Sequence, residues 1–303
     1  MNISERSKIL CFGEILWDVL PGEKTPGGAP MNVAVHLNRL GLDVRFVSRI
    51  GDDPLGHKLK QYLESINFSD YLLQLDTGHP TGTAQVNTSD PNDPQYDFPD
   101  CAWDYLEFDH DLFSLAHASD IIVHGSLIAR KPKSYDTLMQ LIGDENKYKV
   151  FDVNLRDPHY SQGLIQQLLE KADLVKMNDS ELQVISDWFF EPSDQATWMR
   201  QLRDRFHCQV ISVTHGKQGA SLLYEDNYLR HDGYLTSVVD SIGAGDAFLA
   251  GLLQGILMKE APDRILANAV ALGAYVTTRS GANPIYKKAD IERFKNTLDS
   301  NSD

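Results

Sequence analysis

Short apolar runs recur along the chain, separated by longer stretches with helical period. The runs at residues 8–13 (KILCFG), 44–50 (VRFVSRI), 120–125 (DIIVHG), 148–153 (YKVFDV), 173–177 (DLVKM) and 210–216 (VISVTHG) predict strands. Several are apolar on both faces, as strands of a parallel sheet covered on both sides must be. Helical patterns at 31–41, 54–66, 134–143 and 164–172 lie between them, with Gly41 and Gly143 where helix stops are expected. Strand, helix, strand, repeated, predicts a doubly wound α/β layer. Residues 14–28 and 78–106 break the rhythm with Pro, Gly and short alternating pieces such as TGTAQVNT. They read either as a small β excursion that forms a lid over a substrate or as two surface loops, and periodicity alone does not choose. No repeat or low-complexity tract divides the 303 residues, so one domain over 1–303 is expected, with the final LDSNSD frayed.

Composition narrows the partners. Lys and Arg total 28 against 43 Asp and Glu, a formal charge of −15. Such a surface repels phosphate backbones, which argues against nucleic acid. A bound polyphosphate would need local donors or a metal ion. Cys11, Cys101 and Cys208 are far apart and lack CxxC spacing, so buried structural thiols in a reducing compartment are expected. MNISERSK has no apolar signal core, and AFLAGLLQGILM is too short to span a bilayer. These features predict a soluble, cytoplasmic protein without a membrane partner.

Chemistry concentrates where glycines run into helices. In DSIGAGDAFLAG, the turn Gly243, Ala244, Gly245 opens an apolar helix. A helix start leaves backbone N–H groups unpaired and carries partial positive charge, which makes an anion hole. Asp246 would compete with an anion there. It reads instead as the acceptor of a proton from an attacking alcohol, kept ionised by the helix dipole. The plainer alternative is an N-cap after a mere turn. In TPGGAPMNVA the Gly27–Gly28 turn does the same, with Asn32 able to donate and accept toward a polyol, and Asp18 upstream able to take two hydroxyls. Here the alternative is a capped helix with Asp18 exposed. Further polar clusters end three strands: Asp152, Asn154 and Arg156; Asn178 and Glu181; Thr214 and Gly216. Open α/β sheets bind ligands at the carboxyl ends of strands. Asn178 and Glu181 also form a capping-box pattern, compatible with either role. Neither GxGxxG after the first strand nor GxxxxGK[ST] is present, which argues against a Rossmann dehydrogenase and a P-loop kinase.

Together these motifs resemble the PfkB, or ribokinase-like, carbohydrate kinases over nearly the whole chain. DSIGAGD resembles the C-terminal signature of that family, with Ser241 where Thr is usual; GGAPMN with SRIGDDPLG resembles the N-terminal one. NDSE resembles its N-x-x-E motif, VTHGKQGA its nucleotide-side turn, and GEILWD, GGAPxNVA and DVNLR are closest to the fructokinase branch. The resemblance implies a ribokinase-like fold, with a doubly wound, mostly parallel sheet, helices on both faces and a small β lid. It implies ATP-dependent phosphorylation of a primary hydroxyl of a small sugar, D-fructose at O6 before ribose, a keto-deoxy acid or a nucleoside. A non-catalytic sugar or nucleotide sensor is the rival from another class. By residue, it implies Asp246 as base, Gly243, Ala244 and Gly245 as anion hole, and Asp18, Gly28 and Asn32 as sugar contacts, with Arg156 on sugar or phosphate. Asn178 and Glu181 would organise phosphates and Mg²⁺, largely through water. Thr214, Gly216 and Asn268 would border the nucleotide. Asp240 and SGAN at 280–283 would support a monovalent cation, commonly K⁺. Asp97, Phe98, Trp103 and Asp104 fall in the lid, where packing is the preferred reading of the aromatics over stacking on sugar. An exposed lid edge would pair with a second copy, giving a homodimer.

Overall fold

The computed structural model describes residues 3–20, 23–69, 71–87 and 95–299. Strands β1 (Ile9–Phe12), β2 (Leu16–Leu20) and β3 (Glu23–Gly27) lead into helix α1 (Ala29–Arg39). Strand β4 (Val44–Gly51), helix α2 (Pro54–Ser65) and strands β5 (Tyr71–Asp76), β6 (Gly82–Asn87) and β7 (Gln95–Asp97) follow. The middle of the chain alternates: α3 (His110–Ala118), β8 (Ile121–Gly125), α4 (Pro132–Ile142), β9 (Tyr148–Asp152), α5 (Gln162–Leu169) and β10 (Leu174–Asn178). Helices α6 (Asp179–Phe189) and α7 (Gln195–Phe206) precede β11 (Val210–Thr214), β12 (Ala220–Tyr224) and β13 (Asn227–His231). Helices α8 (Ala244–Leu257), α9 (Pro262–Thr277) and α10 (Lys288–Asp299) close the chain.

Nine of the described strands form one sheet in the order β13-β12-β11-β10-β9-β8-β1-β4-β5. All pairings from β11 to β5 are parallel; β12 and β13 add an antiparallel edge. The chain leaves β1 toward β4 in one direction and returns toward β8 in the other, so strand order reverses beside β1. Successive strand residues point to opposite faces. In β1, Leu10 and Phe12 enter one core layer, and Ile9 and Cys11 the other. Leu112, Leu138, Leu168, Ile185 and Leu202 of α3 to α7 cover the first layer. Leu37, Leu59, Leu252 and Leu266 of α1, α2, α8 and α9 cover the second. Each such fully buried aliphatic side chain contributes about 1.5–3 kcal/mol.

Helix α8 is buried on nearly every face from Ala247 to Leu257. Gly251 and Gly255, one turn apart, let α9 approach closely. A Cβ on Gly251 would lie 3.0 Å from Cα of Ala269, and one on Gly255 3.2 Å from Cα of Ile265. The start of α8 is therefore anchored by packing well behind it.

The strands within 14–28 and 78–106 build a separate four-stranded sheet, ordered β3-β2-β6-β7. Residues 98–106 do not continue it. They return to the main core as a turn of 3₁₀ helix, Ala102–Tyr105, with Trp103 fully buried. Arg130 makes this return. Its guanidinium lies 4.2 Å from the Trp103 ring, its Nε donates to Asp104 at 2.6 Å, and its Nη1 donates to the Phe98 carbonyl at 2.7 Å. Trp103 therefore packs. Phe98, also buried, lines the cavity described below.

All three cysteines are buried and unpaired. Among the described residues no helix is long and apolar enough to cross a membrane. Of the lid segments, 21–22 and 88–94 lie outside the described residues, as do 300–303 of the expected frayed tail.

Candidate active site

Because β9, β10 and β11 are parallel neighbours, their carboxyl ends fall on one edge of the sheet. Asn154, Arg156, Asn178 and Thr214 from those ends line a cavity of about 380 Å³. Gly28 and Asn32 at the start of α1, Asp18 of the lid, and Gly243, Gly245 and Asp246 at the start of α8 complete it. Ligands are expected at such a reversal of strand order.

The mouth of α8 has the geometry of an anion site. Gly243 caps the helix at φ +76°, a conformation that disfavours side chains, and a Cβ there would meet Ala282 at 2.6 Å. Ala244 differs from the expectation for it. Its N–H already bonds the Ser241 carbonyl at 3.3 Å, and Ala244 is not among the lining residues. The helix leaves the N–H groups of Gly245 and Asp246 as the available donors. Beside them stands a full positive charge. A Cβ on Gly245 would lie 3.0 Å from Nζ of Lys176, so glycine there keeps the ammonium open to the helix start. Lys176 is buried and paired with Asp152, Nζ to Oδ1 at 3.0 Å. Burial acts to deprotonate it, but Asp152, Glu181 and Asp246 outweigh that and raise its pKa, so it stays charged.

Asp246 accepts a hydrogen bond from Nδ2 of Asn32 on Oδ2 at 2.7 Å, leaving Oδ1 without a partner among the described residues. Burial, helped by the nearby Asp152, raises its pKa to about 6, while Lys176, the Asn32 bond and Arg156 pull the other way. At about 6 the carboxylate is still mostly ionised at neutral pH, but burial has brought it close to neutrality, where a general base works best.

At the other end of the cavity Asp18 is half-buried on β2, and burial moves it to about 6 against the opposing charge of Arg156. Gly28, at φ +120°, could not carry a side chain without overlapping the Glu14 carbonyl. Glu14 lines the same space, 2% exposed, with Oε2 unpartnered. Burial and, in smaller part, Asp246 raise it to about 7, against its own backbone N–H and Arg156. A carboxyl whose folded pKa lies above its ordinary 4.5 favours the fold when protonated. That contribution is complete below about 4.5 and is lost as pH rises through about 7. Glu14→Gln is accordingly expected to be more stable than the parent at pH 8, by about 1–3 kcal/mol, with no gain at pH 4. Thermal unfolding at the two pH values measures this.

Asn32 differs from a freely exposed sugar contact. Nδ2 serves Asp246, and Oδ1 accepts from Nδ2 of Asn283 at 2.6 Å. Asn178 and Glu181 form a reciprocal cap on α6, with Asn178 Oδ1 accepting from the Glu181 N–H at 2.9 Å and Glu181 Oε2 from the Asn178 N–H at 2.8 Å. Glu181 Oε1 takes the Leu155 N–H at 2.9 Å. Among the described residues no three His, Cys, Asp or Glu side chains are placed to hold a metal by themselves. Mg²⁺ needs only one or two carboxylates when phosphates and waters supply the rest. Glu181 keeps lone pairs, but it is 6% exposed and not among the lining residues, so it fits only an outer-sphere role through intervening water.

Thr214 reaches the cavity, whereas Gly216 sits on an exposed turn just past it and is not among the lining residues. Asn268 is not brought to the site. Its amide is satisfied at the α9–α10 contact, donating to Glu260 at 2.7 Å and accepting from Lys295 at 2.9 Å. Asp240 ties two loops, accepting the N–H groups of Ile242 and Gly281, each at 3.0 Å.

Glu14 and Lys176 are absent from the residues expected from sequence, and Asn283 was expected only as part of the cation-supporting segment SGAN. Lys176 had a readable signal: a lysine within the buried run DLVKM must find a buried partner. Asn154 was readable as part of the polar cluster after β9, but its backbone was not. Its left-handed backbone, φ +40°, shows only in three dimensions and places strain beside the cavity.

Comparison with known proteins agrees with this geometry. Residues 2–289 match the model of the pfkB family carbohydrate kinases. The chain is 31% identical to a fructokinase of Klebsiella pneumoniae, over 94% of this chain and 98% of that protein. It superposes with a TM-score of 0.82, at 26% identity, on a double mutant of the fructokinase from Vibrio cholerae O395 in a fructose-, ADP- and potassium-bound form, covering 97% of this chain and 99% of that one. An uncharacterized sugar kinase of Pyrococcus horikoshii in complex with ATP gives 0.80 at 25% identity, over 96% and 99% of the two chains. With its parallel sheet, its separate lid sheet and its glycine-capped helix bearing Asp246, the chain belongs to the pfkB family of carbohydrate kinases.

Proposed function

We propose that this ATP-dependent carbohydrate kinase is a fructokinase that phosphorylates D-fructose at O6. The observation that carries the reaction is the start of α8, where a proton acceptor near neutrality, Asp246, adjoins an anion site made of backbone amides and Lys176. The sugar hydroxyl attacks the γ-phosphorus and its proton passes to Asp246. The bond to the β,γ-bridging oxygen breaks, and that electron pair leaves with ADP. Positioning and charge neutralisation supply most of the catalysis in such transfers. The amides of Gly245 and Asp246 and the ammonium of Lys176 face the charge on the transferred group. Mg²⁺ bound with the nucleotide would neutralise further phosphate charge, and Glu181 would act on it through water. Asn178 and Thr214 lie on the nucleotide side. The loop tied by Asp240 is where a monovalent cation such as K⁺ would sit.

The choice of a neutral polyol rests on the pocket's charge. Glu14, Asp18 and Asp246 line it, set against two cations: Arg156, which acts on all three, and Lys176, which acts on Asp246 at the phosphate end. A keto-deoxy acid would bring its own carboxylate among them, which like charge disfavours. Fructokinases at about 30% identity support fructose within the neutral sugars. Pairing of two copies through the lid remains the proposed assembly, since the lid sheet ends in β3 and β7.

ADP release measured over fructose, ribose, adenosine and keto-deoxygluconate, with and without K⁺, tests the assignment. Fructose should give the highest kcat/KM; higher values on ribose or adenosine would overturn it, and no turnover on any would favour a sensor. Asp18→Ala is expected to raise the sugar KM at least tenfold and the ATP KM far less. Equal effects on both would place Asp18 elsewhere.

A further inference from the structure

The loop at 280–283 is joined to the catalytic side of the cavity by a chain of amides. Asn283 Nδ2 donates to Asn32 Oδ1 at 2.6 Å, and Asn32 Nδ2 donates to Asp246 Oδ2 at 2.7 Å. The direction of this chain is dictated by chemistry. An ionised carboxylate only accepts, so the end of Asn32 facing Asp246 must be its NH₂; the far end is then the carbonyl, which requires a donor. Asn283 is that donor. It is 9% exposed, and its own Oδ1 is buried without a partner among the described residues. Its side chain also hydrogen-bonds Tyr62, and leaving the buried Oδ1 unpaired costs stability.

We propose that Asn283 is a positioning residue for Asp246, acting through Asn32: it holds Asn32 in the single orientation that presents NH₂ to the carboxylate. The proposal rests on Asp246 being the base of the kinase reaction. The loop carrying Asn283 is itself held from three sides. Asp240 Oδ2 accepts the Gly281 N–H at 3.0 Å, His36 Nε2 lies 3.0 Å from the Ala282 carbonyl, and Gly243 packs against Ala282. His36 is neutral, its pKa lowered to about 3 by burial, and its Nδ1 pairs with the Tyr286 hydroxyl at 2.8 Å. As neutral imidazole it donates from Nε2 and accepts at Nδ1. The orientation of the base thus depends on α1, the loop and the turn before α8 together.

The test is a double-mutant cycle on kcat with the sugar found to turn over. Asn283→Ala should lower kcat about tenfold, with both KM values within threefold of the parent. Asn32→Ala should lower kcat further, and adding Asn283→Ala to it should change nothing more, because the route to Asp246 is already cut. The acid limb of the kcat–pH profile should move to higher pH in Asn283→Ala. A loosened hydrogen bond stabilises the Asp246 carboxylate less, while Lys176, Arg156, Asp152 and Glu14 around it are unchanged. Multiplicative effects of the two substitutions, or an unmoved acid limb, would overturn the proposal in favour of a packing role. If Asn283→Ala does not fold, Asn283→Leu, of similar shape but without a donor, takes its place in the same cycle. Failure of the parent enzyme to turn over any sugar would instead strike the kinase reading, so the two failures are distinct.

Discussion

Asp246→Asn should lower kcat about a thousandfold while the KM for ATP changes little. General-base catalysis is worth roughly 10²–10⁴, and here the substitution removes the base without disturbing its setting. The introduced amide would be isosteric with the carboxylate, and its carbonyl oxygen would still accept from Asn32 Nδ2. That places its NH₂ where the carboxylate oxygen Oδ1 had been, facing the sugar hydroxyl with a donor in place of an acceptor. The amides at the start of α8 and the ammonium of Lys176 remain, so the nucleotide keeps its anion site. The parent kcat/KM should itself fall below about pH 6, where Asp246 protonates, and the variant should lose that limb. Near-normal kcat in the variant would remove Asp246 from the role of base.

The second large effect belongs to Lys176. Lys176→Met should lower kcat/KM for ATP by about 10²–10³, the loss expected for one preorganised donor on a developing anion. It should also destabilise the fold by about 3 kcal/mol or more, because Asp152 would be left buried and unpaired. These two consequences are separable. Adding Asp152→Asn neutralises the orphaned carboxylate and should restore most of the stability, as measured by denaturant unfolding. Activity should stay low, because the ammonium beside Gly245 is still missing. Recovery of activity along with stability would make Lys176 a structural partner of Asp152 and nothing more.

The strands were legible because a parallel sheet covered on both faces needs continuous apolar runs, and VISVT and DIIVHG are such runs, of strand length. Convergence of Arg156, Asn178 and Thr214 was legible too, because parallel neighbours place their carboxyl ends together. Side-chain pairing was not. Asn32 read as a sugar contact since nothing in GGAPMN reveals an Asn283 some 250 positions away. Asn268 read as a nucleotide contact because its partners Glu260 and Lys295 lie on other elements. Lys176 was passed over as part of a strand, although its charge contradicted the burial of that strand. Residues 98–106 read as lid because the composition of the segment hides Arg130, which draws it back into the core. The raised pKa of Asp246 was not legible either: the helix terminus is local and readable, whereas desolvation is a property of the assembled cavity.

The close contact of Gly251 and Gly255 with α9 bears on which positions in this enzyme can vary. Gly251 stands six residues beyond Gly245, about 9 Å along the axis at 1.5 Å per residue. A rigid rod transmits displacement along its length, so a single methyl group at Gly251 would push the far end of α8 outward by tenths of an ångström. Misplacement of reacting groups by about 1 Å can cost a hundredfold in rate. Tolerance to substitution in α8 is therefore set by steric clearance behind the site as much as by the chemistry in it. Two residues with no side chains to react or bind thereby constrain where the reacting groups of α8 stand.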